Sequence, residues 1–261
     1  MSRYRPTMRI LLLAGLIVLG LATPAQAADL AQADPAWFPT RLTHLGDAKQ
    51  VIVVTGRSQK SSYATLRTYQ RGSDGRWREA FPAMAARNGY AGWQWATRRV
   101  QDTGTTPAGT FRITETFGLA ARPSGTRVRY RRVDGNDYWV GDRRDPRTYN
   151  LFQPSASARR TWRISQAERL ASYPTQYAYA AVIDFNRAAS VAWDAQRREY
   201  VARKPAVAGR GSAVFLHVNG KGSTAGCVSV SRTEMVRILR WLDPAAHPRI
   251  VMAPLADIGR A

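Results

Sequence analysis

Residues 211–231, reading GSAVFLHVNGKGSTAGCVSVS, set a strand, a glycine-rich loop, a lone cysteine and a helix start in direct succession. The rest of the chain has to be arranged around them. Ala213-Val214-Phe215-Leu216 is an apolar run that closes on His217. Gly, Asn, Ser and Thr dominate the loop that follows, and Cys227 comes directly after Gly226. Ser231-Arg232-Thr233-Glu234 has the pattern of a capping box, in which the Ser231 hydroxyl takes the N–H at Glu234 and the Glu234 carboxylate reaches back. Met235, Ile238, Leu239 and Leu242 recur at helical spacing until Pro244 stops the helix. A thiol and an imidazole ten residues apart, at either end of a polar loop, are the parts of a nucleophilic site.

Cys227 is the only cysteine in 261 residues, so no internal disulfide can form. A small buried hydrophobe, an intermolecular bridge and a reactive thiol are the readings left to it. The N-terminus gives the compartment. Arg3, Arg5 and Arg9 frame the start of an apolar run at 10–22, Pro24 breaks it, and Ala25-Gln26-Ala27 supplies the small-x-small pattern of a signal peptidase site. The run is short for a membrane span, which needs about 20 residues, and an uncleaved anchor is the alternative. Residues 1–27 are therefore read as a signal peptide, and the mature chain as secreted or held in the cell envelope, in the periplasm or the cell wall.

Charge adds a constraint on partners. Lys plus Arg number 39 against 18 Asp plus Glu, for a net +21, and a field of that sign attracts polyanions. Outside a cell these are anionic wall polymers and membrane surfaces. The arginines are spread along the chain and make no run of roughly 5–8 basic residues of the kind that marks a nucleic-acid patch. Nucleic acid is not expected as a partner, and a solvated arginine-rich surface reads as well from the same residues.

Residues 28–45, with Trp37 and Phe38, show no clear period and read as an N-terminal arm; residues 46–255 read as one domain. The apolar run at 50–55, the alternation at 63–69 and the runs at 111–114 and 177–185 are strand patterns. Residues 165–172 read as a short helix. Residues 134–150 read as a long polar loop holding Tyr138, Trp139 and Tyr149, and loops of that length are more often functional than idle. Tyr138 and Trp139 are expected to rim a substrate cleft; an ordinary surface loop with two packed aromatics is the other reading. The sum is a mainly-β single domain with one well-capped helix after the cysteine.

Of the three histidines, His44 lies in the arm and His247 precedes Pro248; only His217 ends a strand that faces the glycine loop. Gly226 lets the backbone approach a ligand closely, and consecutive N–H groups at Gly226 and Cys227 can form a nest for a developing oxyanion. The helix start a few residues on adds a positive potential that favours thiolate. Cys227 is thus the candidate nucleophile, His217 the general base and Gly226 a backbone donor. A structural zinc site wants four ligands, which one cysteine and scattered histidines do not supply, so neither metal nor cofactor is expected.

The segment from His217 through Thr224-Ala225-Gly226-Cys227-Val228 resembles the signature of the L,D-transpeptidase (YkuD) catalytic domain, which runs from a histidine to a Ser/Thr-His-Gly-Cys turn. Thr106-Pro107-Ala108-Gly109-Thr110-Phe111 is similar to the family's other hallmark, Thr-Pro-x-Gly-x-Phe. The resemblance runs over residues 50–253. It implies a YkuD-like β-sandwich in which Cys227 attacks the carbonyl of a peptidoglycan stem peptide and carries the acyl group as a thioester. It also implies that His217, oriented by a main-chain carbonyl, is the base, that Gly226 and Cys227 are the oxyanion donors, and that Thr224 lies against substrate. The acyl group then passes to an amine of a second stem or to water, so transpeptidase and carboxypeptidase outcomes both stand. A thiolate–imidazolium pair is expected to govern the pH dependence, and a monomer is expected. Ala225 stands where the motif usually has a second histidine, Ser229 where Arg or Asn often follows the cysteine, and the histidine-to-cysteine spacing is shorter than in the commonest members; these departures bear on the acceptor. A non-catalytic, basic peptidoglycan-binding module is the remaining alternative.

Overall fold

The structure is a computed structural model that describes residues 38–261. The signal-peptide reading and Trp37 lie outside the described residues. A short helix, α1 (Phe38–Arg41), precedes the first strand. The apolar run at 50–56 lacks alternation because both faces of the strand it forms are covered. That strand, β1 (Gln50–Gly56), is buried throughout: Ile52 and Val54 belong to one core cluster, Val51 and Val53 to a second. The alternating pattern that follows becomes β2 (Tyr63–Arg71), which pairs antiparallel with β3 (Trp77–Arg87). Further along come β4 (Trp93–Trp95), β5 (Thr106–Gly118), β6 (Tyr130–Arg132), β7 (Tyr138–Val140), β8 (Phe152–Gln153) and β9 (Ala167–Arg169). They are followed by β10 (Ala180–Ile183), β11 (Ala189–Asp194), β12 (Glu199–Lys204), β13 (Phe215–Val218), β14 (Val228–Val230), the helix α2 (Arg232–Trp241) and β15 (Arg249–Pro254).

Ten strands make one sheet, ordered β10-β13-β14-β3-β2-β1-β15-β5-β4 with β6 beside β5. At 13 residues β5 is long enough to serve two neighbours. Residues 109–112 pair with β15, and residues 113–117 pair with β10. Because β10 also pairs with β13, the path closes on itself, and the two layers are arcs of one sheet without an open edge at β10. The domain is mainly β with one substantial helix, as read from the sequence. The capping box of α2 forms as expected, with the Ser231 hydroxyl accepting from the Glu234 N–H at 3.2 Å and the Ser231 N–H donating to Glu234 Oε2 at 2.9 Å. Such a cap contributes about 1 kcal/mol. Met235, Ile238 and Leu239 of α2 and its C-cap Leu242 fill the first core cluster together with Leu216 and Val228.

Three local readings differ. Residues 134–150 are not one loop, since β7 joins β8 and β9 in a small three-stranded sheet whose members are too short to show a period. Residues 165–172 do not make one helix: 3-10 turns at Ile164–Gln166 and Leu170–Ser172 flank an extended Ala167–Arg169, which pairs with β7 as β9. The strand read at 177–185 is shorter, since Gln176–Ala178 is a 3-10 turn and β10 begins at Ala180. A third core cluster, including Phe117, Trp139, Leu170, Tyr177 and Phe215, binds the small sheet to the large one, and Cys227 packs against it.

Candidate active site

β13 and β14 are parallel neighbours, in the register Leu216 opposite Val228, His217 opposite Ser229 and Val218 opposite Val230. Side chains alternate along a strand. Leu216, Val218, Val228 and Val230 therefore turn into the core beneath α2, while Phe215, His217, Cys227 and Ser229 share the opposite face. This is why an apolar run ends on a histidine. His217 is 5% exposed, and its Nδ1 lies 2.8 Å from the Val218 carbonyl oxygen. A carbonyl only accepts, so Nδ1 carries the proton and the lone pair sits on Nε2. The Tyr177 ring meets the imidazole edge-on, with centroids 5.6 Å apart. Burial pushes the imidazole pKa down to about 4, against the opposing effect of the Val218 bond.

One step back along the ladder, Phe215 stands level with Cys227. Its N–H donates to Sγ at 3.3 Å, and the thiol donates to the Ala213 carbonyl at 3.2 Å. Burial, reinforced by the Glu168 carboxyl, pushes the thiol up to about 12, although the Phe215 N–H and the Arg99 charge pull the other way. Both shifts favour the neutral forms, a thiol and an unprotonated imidazole. Desolvation thus works against the expected thiolate–imidazolium pair.

The turn before Cys227 is internally braced. Gly226 has φ +139°, and its N–H donates to Thr224 Oγ1 at 3.1 Å. The Thr224 hydroxyl donates in turn to the Cys227 carbonyl at 2.6 Å. Thr106 Oγ1 donates to the same carbonyl at 3.3 Å and accepts from the Gly89 N–H at 2.8 Å. The two motif blocks of the sequence thus meet at the Cys227 carbonyl.

Arg99 stands behind this turn, and sequence reasoning missed it. It is 5% exposed; its Nε donates to the Thr105 carbonyl at 2.8 Å and its Nη1 to the Arg210 carbonyl at 3.1 Å. The guanidinium lies 5.6 Å from the Phe185 ring centre. Among the described residues no carboxylate is within ion-pair distance of it. Burial lowers its pKa, and the first group to oppose that is Cys227. Nothing distinguishes Arg99 from the other arginines in the sequence.

A cleft of about 790 Å³ opens onto these groups, lined by His217, Cys227, Arg99, Glu168 and Tyr177 and by the loop at 220–226, Thr224 included. The two aromatics expected to rim it do not act as a pair, since consecutive strand residues face opposite ways. Trp139 borders the cleft but is 2% exposed. It is wedged against Phe117 and Phe215, and its Nε1 donates to Asn150 Oδ1 at 2.8 Å. Tyr138 points away, packs on Trp162, and is not part of the lining. His247 Nδ1 lies 3.2 Å from Asp47 Oδ2, and neither it nor His44 lines the cleft. Among the described residues no three His, Cys, Asp or Glu side chains gather to hold a metal ion, and no helix is long and apolar enough to cross a membrane.

Residues 48–251 match the family model of the L,D-transpeptidase catalytic domain, YkuD. The chain belongs to the L,D-transpeptidase (YkuD) family. Comparisons with curated proteins and with solved structures gave no match. The matched span runs from ahead of β1 into β15, so the L,D-transpeptidase domain takes in both motif blocks, the small sheet and the whole cleft.

Proposed function

We propose that this protein is an exported cell-wall enzyme, a cysteine acyltransferase of the L,D-transpeptidase type acting on peptidoglycan stem peptides. The observation that carries this is the placement of Cys227 and His217 on one face of adjacent parallel strands, at the cleft, with the His217 lone pair on Nε2. As the stem-peptide carbonyl carbon approaches Sγ, the thiol proton passes to Nε2, the C–S bond forms and charge moves onto the carbonyl oxygen. Proton transfer accompanies attack in this reading, since burial favours the neutral form of both groups.

The Cys227 and Gly226 N–H groups are the oxyanion donors in this reading, with Gly226 exchanging its bond to Thr224 for one to the oxyanion. Arg99 adds a buried positive charge, which the motif often carries after the cysteine and which Ser229 does not supply. The leaving amine takes its proton back from Nε2 as the C–N bond breaks, leaving a thioester on Cys227. Transfer to an amine of a second stem, or to water, completes the cycle. Residues 1–27 direct the chain to the cell envelope or the medium, and the +21 charge draws it to anionic wall polymers.

Mass spectrometry of the mature protein after carbapenem treatment tests the reading. A covalent adduct on Cys227, lost in Cys227→Ala, is the expected result. Folded protein that stays unmodified would overturn it.

A further inference from the structure

Transfer to an amine has a proton count that the Cys227–His217 pair does not meet alone. An amine acceptor arrives at neutral pH as an ammonium. It must lose one proton before it can attack the thioester and a second after the C–N bond has formed. His217 can carry the second proton from the new amide nitrogen to the departing sulfur. The first needs another base, and His217, held neutral by burial, is a weak acceptor for it.

Two carboxylates line the cleft, Asp102 and Glu168. Asp102 is committed to an ion pair with Arg143. Glu168 comes from β9 in the small sheet, in register with Trp139 of β7. The Tyr177 hydroxyl donates to its Oε1 at 2.6 Å. Among the described residues, none donates a hydrogen bond to Oε2 and no cation lies within ion-pair distance of the carboxyl. The groups that share its surroundings are Tyr173 and Tyr177 from the turns after β9, His217 from β13, Cys227 before β14, and Arg99 and Lys221 across the cleft. The Tyr177 ring bridges the two candidate bases, with its hydroxyl on Glu168 and its edge-on contact to His217.

We infer that Glu168 is the acceptor-side base of this site, with Oε2 binding the ammonium of an incoming primary amine and taking its first proton. The inference rests on the acyltransferase reading above. In the step, the Glu168 carboxylate takes one proton from the ammonium, and the free amine attacks the thioester carbonyl. The C–N bond forms, the C–S bond breaks, and the second amine proton reaches sulfur through His217. Products are the amide, the Cys227 thiol and a protonated Glu168, which returns its proton to solvent. Burial supports the role by holding the carboxyl at about 7, well above an ordinary glutamate and against the pull of the Tyr177 bond. Such a group is ionised in time to accept a proton near neutral pH and releases it readily.

The experiment uses the mature chain with a p-nitrophenyl ester of an N-acetylated dipeptide as acyl donor. Release of nitrophenolate reports acylation, and two acceptors compete for the thioester: Nα-acetyl-lysinamide, an ammonium at pH 7, and hydroxylamine, already neutral there. Glu168→Gln is expected to lose at least tenfold in transfer to the lysinamide while transfer to hydroxylamine falls less than threefold. In the wild type, lysinamide transfer rises with pH through about 7. In Tyr177→Phe, which removes the bond that favours the carboxylate, that midpoint moves up. A Glu168→Gln protein that acylates and transfers to both acceptors as the wild type does would overturn the inference and leave the acyltransferase reading intact. Equal losses with both acceptors would also overturn it, as a structural effect. Absence of acylation in the wild type would sink both.

Discussion

Arg99 Nη2 lies 2.7 Å from the point where a Cβ on Gly226 would stand. The glycine before Cys227 is thus required twice, by its φ of +139° and by the guanidinium packed behind it. Gly226→Ala is expected to cost roughly 1–3 kcal/mol of stability and to slow carbapenem acylation by more than tenfold. Urea denaturation and adduct kinetics by mass spectrometry measure the two effects separately.

Arg99 itself separates stability from chemistry. It is buried without a carboxylate, and its charge lowers the Cys227 pKa. Arg99→Met should therefore raise the thiol pKa further and slow the alkylation of Cys227 by iodoacetamide at pH 8, because a thiol pKa higher by one leaves about tenfold less thiolate. Arg99→Lys should retain part of the rate. The melting temperature of Arg99→Met should fall little, since an apolar side chain escapes the desolvation that a buried charge suffers. An alkylation rate equal to wild type would remove the electrostatic role.

His217 and Glu168 make opposite contributions to stability as pH changes. The folded-state pKa of His217 is lowered, from 6.5 to about 4, so its contribution is full above 6.5 and is lost as pH falls through 4. That of Glu168 is raised, from 4.5 to about 7, so its contribution is full below 4.5 and is lost as pH rises through 7. The two slopes largely cancel in the window they share. Relative to wild type, Glu168→Gln should gain stability as pH rises through that window, by up to roughly 3 kcal/mol. His217→Gln should lose stability over the same range. Urea titrations at three pH values across the window would show either slope or its absence.

Trp139 and Tyr138 should behave differently although they are neighbours. Trp139→Ala empties the third core cluster and is expected to cost about 3–5 kcal/mol. Tyr138→Ala should leave acylation of Cys227 within twofold of wild type, because the side chain faces Trp162 and not the cleft. A large fall in acylation with Tyr138→Ala would restore it to the substrate rim.

What can be read from the sequence is whatever has a local pattern. The capping box at Ser231, the double-faced strand at 50–56 and the histidine closing an apolar run each carry a signature within a few residues, and the structure bears them out. The small sheet has none, since strands of two or three residues are too short for a period to appear. Tyr138 and Trp139 read as a pair because adjacency in sequence says nothing of the strand that parts them. Arg99 and Glu168 reach the cleft from distant segments through tertiary packing. The protonation of the Cys227–His217 pair depends on burial, which a motif does not encode.

The link between β13 and β14 carries a consequence of its own. The ladder places Phe215 level with Cys227 and His217 opposite Ser229, whatever path the chain takes between the strands. Residues 220–223, ahead of the braced turn from Thr224 to Cys227, therefore form a segment whose length is decoupled from the geometry of His217 and Cys227. A lineage can lengthen, shorten or rewrite that segment without retuning the chemistry beneath it. The short spacing in this chain is one setting of an adjustable part, and new acceptors are most cheaply explored there.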